Sequence, residues 1–248
     1  MQWSATVRVG GACDRIGGMK AEDVRCVEEL SRVVRSGGRV EYLHFWKPRA
    51  RPDGSLDGSC LSQWWPSPFE ADGERFPSAE HYMMWRKARL FDDRGRAAEI
   101  LAEPSPARAR VIGRRVAGFD QEIWTAHRWE IVVDASLGKF GSDAALGDYL
   151  LGTRDRVLVE ASPLDRIWGI GLAADSEFAE VPSRWRGLNL LGFALMEARA
   201  RLVPPSASSR RDRQAPSSGP AGCRRVEVVP GLTPLFKADP DIRVYTVA

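Results

Sequence analysis

Apolar residues recur every three or four positions along most of this chain, and two short dense runs break that rhythm. Val24, Val27, Leu30 and Val34 share one helical face, so 21–34 reads as a helix that Gly37 and Gly38 end. The aromatic run 40–46 and the apolar run 156–160 read as strands. The segment 69–76 reads as a hairpin about an Asp72-Gly73 turn. Ser78 suits a helix N-cap, with Tyr82, Trp85 and Ala88 facing a core behind it. Further helices follow over 94–102, which Pro104 stops, and over 107–115, opened by Ser105 and Pro106. A longer helix starts at Asp120 and passes Lys139 and Phe140, a short one runs from Asp143 to Leu151, and the last covers 191–202.

The segments between are equally informative. Pro66 and Pro68 keep 61–69 out of a helix interior or a central strand, so it is an ordered loop with half-buried aromatics. The stretch 161–171 places an acid, a tryptophan and two glycines directly after a strand, where sites concentrate. The fold class is α+β and predominantly helical: one compact domain over 21–203 with short strands and an irregular C-terminal extension. Residues 1–20 are Gly-rich and read as a flexible leader. Residues 204–225 form a disordered Pro/Ser/Arg linker, and 226–248 a small appendage too short for its own core.

Composition narrows the class. Of 248 residues, 44% are hydrophobic and 28% charged, an ordinary globular balance, and a net charge of +3 makes no case for a nucleic-acid or acidic partner. Arginines in the tail could hold the protein near nucleic acid, or simply solvate a linker. The nine tryptophans fill cores or line pockets with flat surfaces. No apolar run nears the roughly 20 residues that span a bilayer, and 1–19 lack the pattern of a secretory signal. Cys13, Cys26, Cys60 and Cys223 show no CxxC pairing, which points to free thiols in a reducing, cytoplasmic compartment. No histidine pairs with a cysteine at zinc-ligand spacing.

Candidate chemistry starts at Glu80. Two positions behind Ser78, it lies beside free N–H groups at the positive end of a helix, which holds a carboxylate ionised. Such an acid can steady a cation or position water, and it also suits a helix start with no further role. Asp165 is a second loop acid or a turn-forming Asx residue.

The remaining motifs fall in a fixed order. They are Pro-Ser-Pro-Phe at 66–69, Phe-Pro-Ser-Ala-Glu-His-Tyr at 76–82, Lys87-Ala88, Gly113-Arg114, Ile123-Trp124, Lys139-Phe140 and Leu158-Val159-Glu160. Asp-Arg-Ile-Trp-Gly at 165–169 and Gly-Leu-Asn-Leu-Leu-Gly at 187–192 complete them, with Leu195-Met196 beyond. Over about 40–202 this resembles the NADAR family, also called YbiA-like. The resemblance implies a YbiA-like domain and an N-glycosidase that hydrolyses a ribosyl C1′–N bond. Two substrate classes go with it: phosphoribosylamino-pyrimidine intermediates of riboflavin biosynthesis, and guanine joined to ADP-ribose. The implied partner is a small nucleotide-like molecule or an ADP-ribosylated nucleic acid, with no membrane and no metal or organic cofactor. The family's helix-start acid falls on Glu80, its mid-chain tryptophan on Trp124, and its loop acid and tryptophan on Asp165 and Trp168. Where the family often has Ser-Asn-Phe, this chain has Leu-Ser-Gln-Trp-Trp at 61–65, so Gln63 moves an amide by one methylene. Where Lys-Phe is common, Lys87-Ala88 stands.

Cleaving such a bond passes through an oxocarbenium-like state. It calls for a carboxylate near C1′, an oriented water and a donor for the departing nitrogen. On this reading Glu80 activates water and steadies the cation, and Asp165 binds ribose hydroxyls or shares the base role; the two are exchangeable. Trp124 and Trp168 hold the base or shield the cation. Gln63 contacts substrate, and Arg114, Lys139, Lys87, Arg115 and Arg166 are candidates for its phosphates. His81 donates to the leaving group or is structural, and Asn189 contacts substrate or, more simply, caps a helix. The alternative is a non-catalytic module that binds ADP-ribose or a nucleotide, against which the two retained carboxylates speak.

Overall fold

A computed structural model describes residues 20–203. The leader up to residue 19, the linker and the appendage lie outside the described residues. The first expected helix is split. A 3-10 turn at Ala21–Asp23 ends in extended backbone at Val24, and α1 (Val27–Arg35) begins after Cys26. Long-range forces override the helical pattern there. Val24 is fully buried, and the Arg25 guanidinium pairs with Glu197 at 2.6 Å, 172 residues away.

β1 (Tyr42–Phe45) follows, then a 3-10 turn at Gly58–Leu61. β2 (Phe69–Ala71) and β3 (Glu74–Phe76) make the expected antiparallel hairpin. Asp72 (φ 52°) and Gly73 (φ 77°) both take the left-handed backbone that a type I′ turn needs. The hairpin delivers the chain to α2 (Ala79–Leu90), whose Tyr82 and Trp85 join Phe69 and Phe76 in one aromatic cluster, ring centroids 5.1–6.4 Å apart.

Four helices come next: α3 (Arg94–Ala102), α4 (Pro106–Gly113), α5 (Gln121–Ser142) and α6 (Ala144–Gly152). Local chemistry starts three of them. The carboxylates of Asp93, Asp120 and Asp143 accept from first-turn N–H groups at 2.8–3.1 Å. Ser105 stands at the cap position of α4 without a side-chain cap bond. β4 (Val157–Glu160) pairs in parallel with β1, from Tyr42↔Val157 to Phe45↔Glu160, and α7 (Leu190–Leu202) closes the domain. α7 packs between α5 and β4, while α2 packs between α5 and the α3–α4 pair. Val157, Leu158 and Val159 are fully buried beneath this layer.

The turn before α7 is laced to the loop after β4. Arg186 N donates to Ile170 O, Leu188 N to Arg166 O and Asn189 N to Gly169 O, at 2.9–3.1 Å. The approach is close enough that a Cβ on Gly187 would lie 2.2 Å from Gly169 O. Asn189 takes left-handed backbone (φ 51°) and clamps the strand with its amide: Nδ2 donates to Leu158 O at 2.9 Å, and Oδ1 accepts from Glu160 N at 3.0 Å. It occupies the cap position of α7 without capping it, so the sequence expectation of a helix cap is corrected to a strand clamp. Asn189→Ala leaves one N–H and one C=O of β4 without these partners. The expected loss is about 2–4 kcal/mol of unfolding free energy by urea titration; a loss under about 0.5 kcal/mol would show the clamp to be dispensable.

Candidate active site

A cleft of about 340 Å³ opens between the 62–64 loop, the start of α2, α4, and the loop that leaves β4. Each wall is positioned by backbone. Ser67 N donates to Pro77 O, and Glu80 N to Gln63 O, both at 3.1 Å, so the aromatic loop is stitched to the first turn of α2. Ser78 does not cap that turn; its hydroxyl is 2.8 Å from His81 Nδ1.

Glu80 lines the cleft with its side chain almost wholly buried. The helix start does not hold it ionised, as its position alone suggests. Its own N–H is already given to the Gln63 carbonyl, and burial pushes the carboxyl up from 4.5 to about 7. The charge on Asp165 adds to the rise, and Arg110, the Trp64 indole and Arg114 work against it. Asp165 reaches the same cleft. Its Oδ1 accepts from Ile167 N (2.9 Å) and Trp168 N (2.8 Å), and its Oδ2 from Arg110 Nη2 at 3.3 Å. The Asx turn and the site acid are thus one arrangement: the turn aims the carboxylate and sets Trp168 beside it.

A third acid completes the group. Glu160, the last residue of β4, lines the cleft, and burial with the charges of Asp165 and Glu80 pushes it up from 4.5 to about 8. Its Oε2, Oε1 of Glu80 and Nε2 of Gln63 are buried without a hydrogen-bond partner in the protein. Three unpartnered polar atoms around one cavity mark it as shaped for a polar ligand. Lys47, Lys87, Arg110 and Arg114 line the same cleft, Arg110 paired with Asp165. Lys87 Nζ lies 4.2 Å from the Phe119 ring centroid and 5.6 Å from that of Trp124, and burial, then the charge of Arg114, lower its pKa. Trp46, Trp64, Trp124 and Trp168 give the cleft flat apolar surfaces.

The structure therefore gathers Glu80, Asp165, Trp124, Trp168, Gln63, Arg114 and Lys87 into one cavity. His81 and Lys139 stand behind its walls, as Asn189 does. His81 is fully buried, with Nε2 2.8 Å from Glu103 O, and burial lowers its pKa, so it is a structural histidine. Lys139 is buried with Nζ donating to Cys60 O (2.5 Å) and Ser62 O (2.8 Å), which ties α5 to the cleft loop rather than to a phosphate. Arg115 and Arg166 are exposed and do not line the cleft. Sequence reasoning passed over Glu160, Arg110, Trp64 and Trp46 as site residues. A signal for Glu160 was present: a carboxylate that ends a fully apolar strand is seldom buried without a task. Among the described residues no group of three or more His, Cys, Asp or Glu side chains is arranged to hold a metal ion. None of the described helices is long and apolar enough to cross a membrane.

Clustered carboxyls facing indoles and cations are the equipment of a site that handles a charged sugar or nucleotide. A family model described as the NADAR domain matches residues 44–203, and the chain belongs to the NADAR family. The chain is 41% identical over 144 residues to the N-glycosidase R617 of Acanthamoeba polyphaga mimivirus, covering 56% of this chain and 85% of that protein. It is 31% identical over 147 residues to the N-glycosidase YbiA of Escherichia coli K12, covering 59% and 81%. It is also 34% identical over 150 residues to the chloroplastic riboflavin biosynthesis protein PYRR of Zea mays, covering 56% of this chain and 22% of that protein. The NMR structure of E. coli YbiA superposes with a TM-score of 0.50 at 25% identity over 71% of this chain and 90% of that one. The fold is the compact, mainly helical α+β fold of YbiA, and the relatives' names support N-glycosidase chemistry in general.

The raised carboxyls have a consequence for stability. Between pH 4.5, the ordinary value, and about 7, the folded protein keeps a proton on Glu80 that the unfolded chain has released, so this group costs stability as pH rises. Glu80→Gln removes that cost. A tenfold change in proton affinity is worth about 1.4 kcal/mol, so the variant should gain about 3 kcal/mol on the wild type at pH 8.5 and nothing at pH 4.5. Lys139, lowered to about 7 by burial, acts in the opposite sense and is common to both proteins, so the difference in melting temperature across pH reads the loss of Glu80 together with the relief of Glu160, which the Glu80 charge helps push up.

Proposed function

We propose that this protein is an N-glycosidase that hydrolyses a ribosyl C1′–N bond in a phosphorylated, nucleotide-like substrate. The observation that carries the reading is the one cavity that Glu80 and Asp165 line together with Trp124, Trp168, Lys47, Lys87 and Arg114. As the C–N bond stretches, positive charge grows on C1′ and the ring oxygen. Glu80, with a pKa near neutrality, exists in both forms there; as carboxylate it accepts a proton from the attacking water and steadies the cation. Asp165 remains bonded to Arg110 and to two backbone N–H groups, an anchored carboxylate suited to ribose hydroxyls. The cations supply point charges and forks for phosphate, and the indoles supply faces for the flat base.

A cleft of about 340 Å³ lies at the small end of ligand pockets and suits one nucleotide. That size, with the similarity to a riboflavin biosynthesis protein, favours phosphoribosylamino-pyrimidines of that route over ADP-ribosylated guanine, much of which would extend outside. A non-catalytic ADP-ribose reader is the competing reading; ribose hydroxyls would satisfy the unpartnered carboxyl oxygens in either case, and turnover separates the two.

Incubation with each substrate class, followed by chromatography of released base, tests this. Wild-type protein should release the aminopyrimidine, and Glu80→Gln should lower kcat by about 10²–10⁴-fold with Kd changed little. Binding of ADP-ribose without release of any base would establish the reader instead.

A further inference from the structure

We propose that Glu160 is the acid that protonates the departing nitrogen, the third catalytic carboxyl of the cleft. The assignment rests on the N-glycosidase reading and completes its chemistry. Hydrolysis breaks C1′–N, and the electron pair leaves with nitrogen. Water adds hydroxyl to C1′ and gives up a proton. A nitrogen that departs as an anion is a poor leaving group, so the reaction needs a proton donor on the base side of the sugar.

Few groups in the cleft can serve. Asp165 has both carboxylate oxygens engaged, with a guanidinium and with two backbone N–H groups, so neither is free to face the departing nitrogen. Arg110 is held by Asp165, Arg114 is a guanidinium that keeps its proton, and Lys47 and Lys87 lie over the Trp46 ring and over the Phe119 and Trp124 rings. His81, a candidate donor by sequence, is engaged with Ser78 and Glu103 behind the wall. Glu160 has none of these ties. Its Oε2 is buried and unpartnered at the cavity, and its backbone N–H is held by the Asn189 clamp, so the carboxyl is presented from the rigid end of a strand. The groups that face it are Asp165, Glu80 and Arg110; the two acids favour its protonated form and the arginine opposes them. With Glu160 pushed up to about 8 and Glu80 to about 7, there is a window near neutrality in which one is acid and the other base. In one turnover Glu160 gives its proton to nitrogen and Glu80 takes one from water. Return of that proton to Glu160 resets the site, and the net reaction consumes one water.

The test varies the leaving group. Wild type, Glu160→Gln and Glu160→Asp are assayed on the phosphoribosylamino-pyrimidine and on 4-nitrophenyl β-ribofuranoside 5-phosphate, whose phenolate departs without a proton. Glu160→Gln should lower kcat about 10²–10⁴-fold on the aminopyrimidine with KM within about threefold, and less than about tenfold on the nitrophenyl substrate. It should also lose the alkaline limb of the wild-type kcat/KM profile, and Glu160→Asp should recover part of the aminopyrimidine rate. Equal losses on both substrates, or no loss, overturn the assignment while leaving the glycosidase reading intact. Wild-type protein that cleaves neither riboside overturns that reading, and the assignment with it. Thermal melting at pH 8 reports folding of each variant.

Discussion

The amide of Asn189 bears most of the burden of holding this site together. The parallel sheet at the heart of the domain has two strands, β1 and β4, so one side of β4 has no strand to complete it. Asn189 substitutes for that strand, donating to Leu158 O and accepting from Glu160 N. To do so it must adopt left-handed backbone, a conformation asparagine tolerates better than most residues. The approach leaves no room for a side chain nearby: a Cβ on Gly192 would sit 2.0 Å from Leu158 O. The laced turn and the loop that carries Asp165 and Trp168 then follow from the same close approach. The clamp holds Glu160 directly across 29 residues of chain, and the backbone bonds of the adjoining turn hold the loop of Asp165 and Trp168.

The opposite wall depends on electrostatics rather than geometry alone. Lys139 fixes the carbonyls of Cys60 and Ser62, and that loop passes on its position to Gln63, whose carbonyl accepts from Glu80 N. Burying a lysine and two glutamates is costly, and the pKa values record the cost: the lysine is lowered to about 7, the acids raised to about 7 and 8. Each unpartnered polar atom adds about 1–3 kcal/mol of desolvation. A domain that needed only to fold would replace these groups with apolar ones. Their concentration around one cavity is what a trade of stability for function would leave, and it is the pattern on which the proposed active site rests.

What could be read from the sequence was local. The Asp72-Gly73 turn and the caps at Asp93, Asp120 and Asp143 each depend on residues within four positions, and each forms as the pattern implies. The co-linear motifs brought Glu80, Trp124, Asp165 and Trp168 under one family pattern, and the fold places all four in one cleft. What could not be read depended on distant partners. The helix pattern over 21–34 contains no hint that Arg25 is drawn to Glu197. Ser78 looks like a cap, but a histidine one turn on takes its hydroxyl. Lys139 looks like a phosphate ligand, and only the fold shows two carbonyls waiting for it. Glu80 looks ionised from its helix position, because the sequence does not reveal how completely the cleft loop covers it.

Gln63 shows how these levels combine at one of the two places where the chain departs from its family's usual residues. Its backbone serves the fold, since its carbonyl accepts from Glu80 N. Its side chain serves the cavity, since its buried Nε2 finds no partner in the protein. The backbone role is indifferent to side-chain length, so it places no restraint on Asn or Gln at this position. The side-chain role is sensitive to it: one more methylene carries the amide further toward whatever occupies the cleft. A change of side-chain length at such a position leaves the backbone bond to Glu80 N in place and moves only the amide at the cavity. For the N-glycosidase proposed above, the departure from the family pattern bears on which substrate is held, while the groups assigned to bond breaking stay in place.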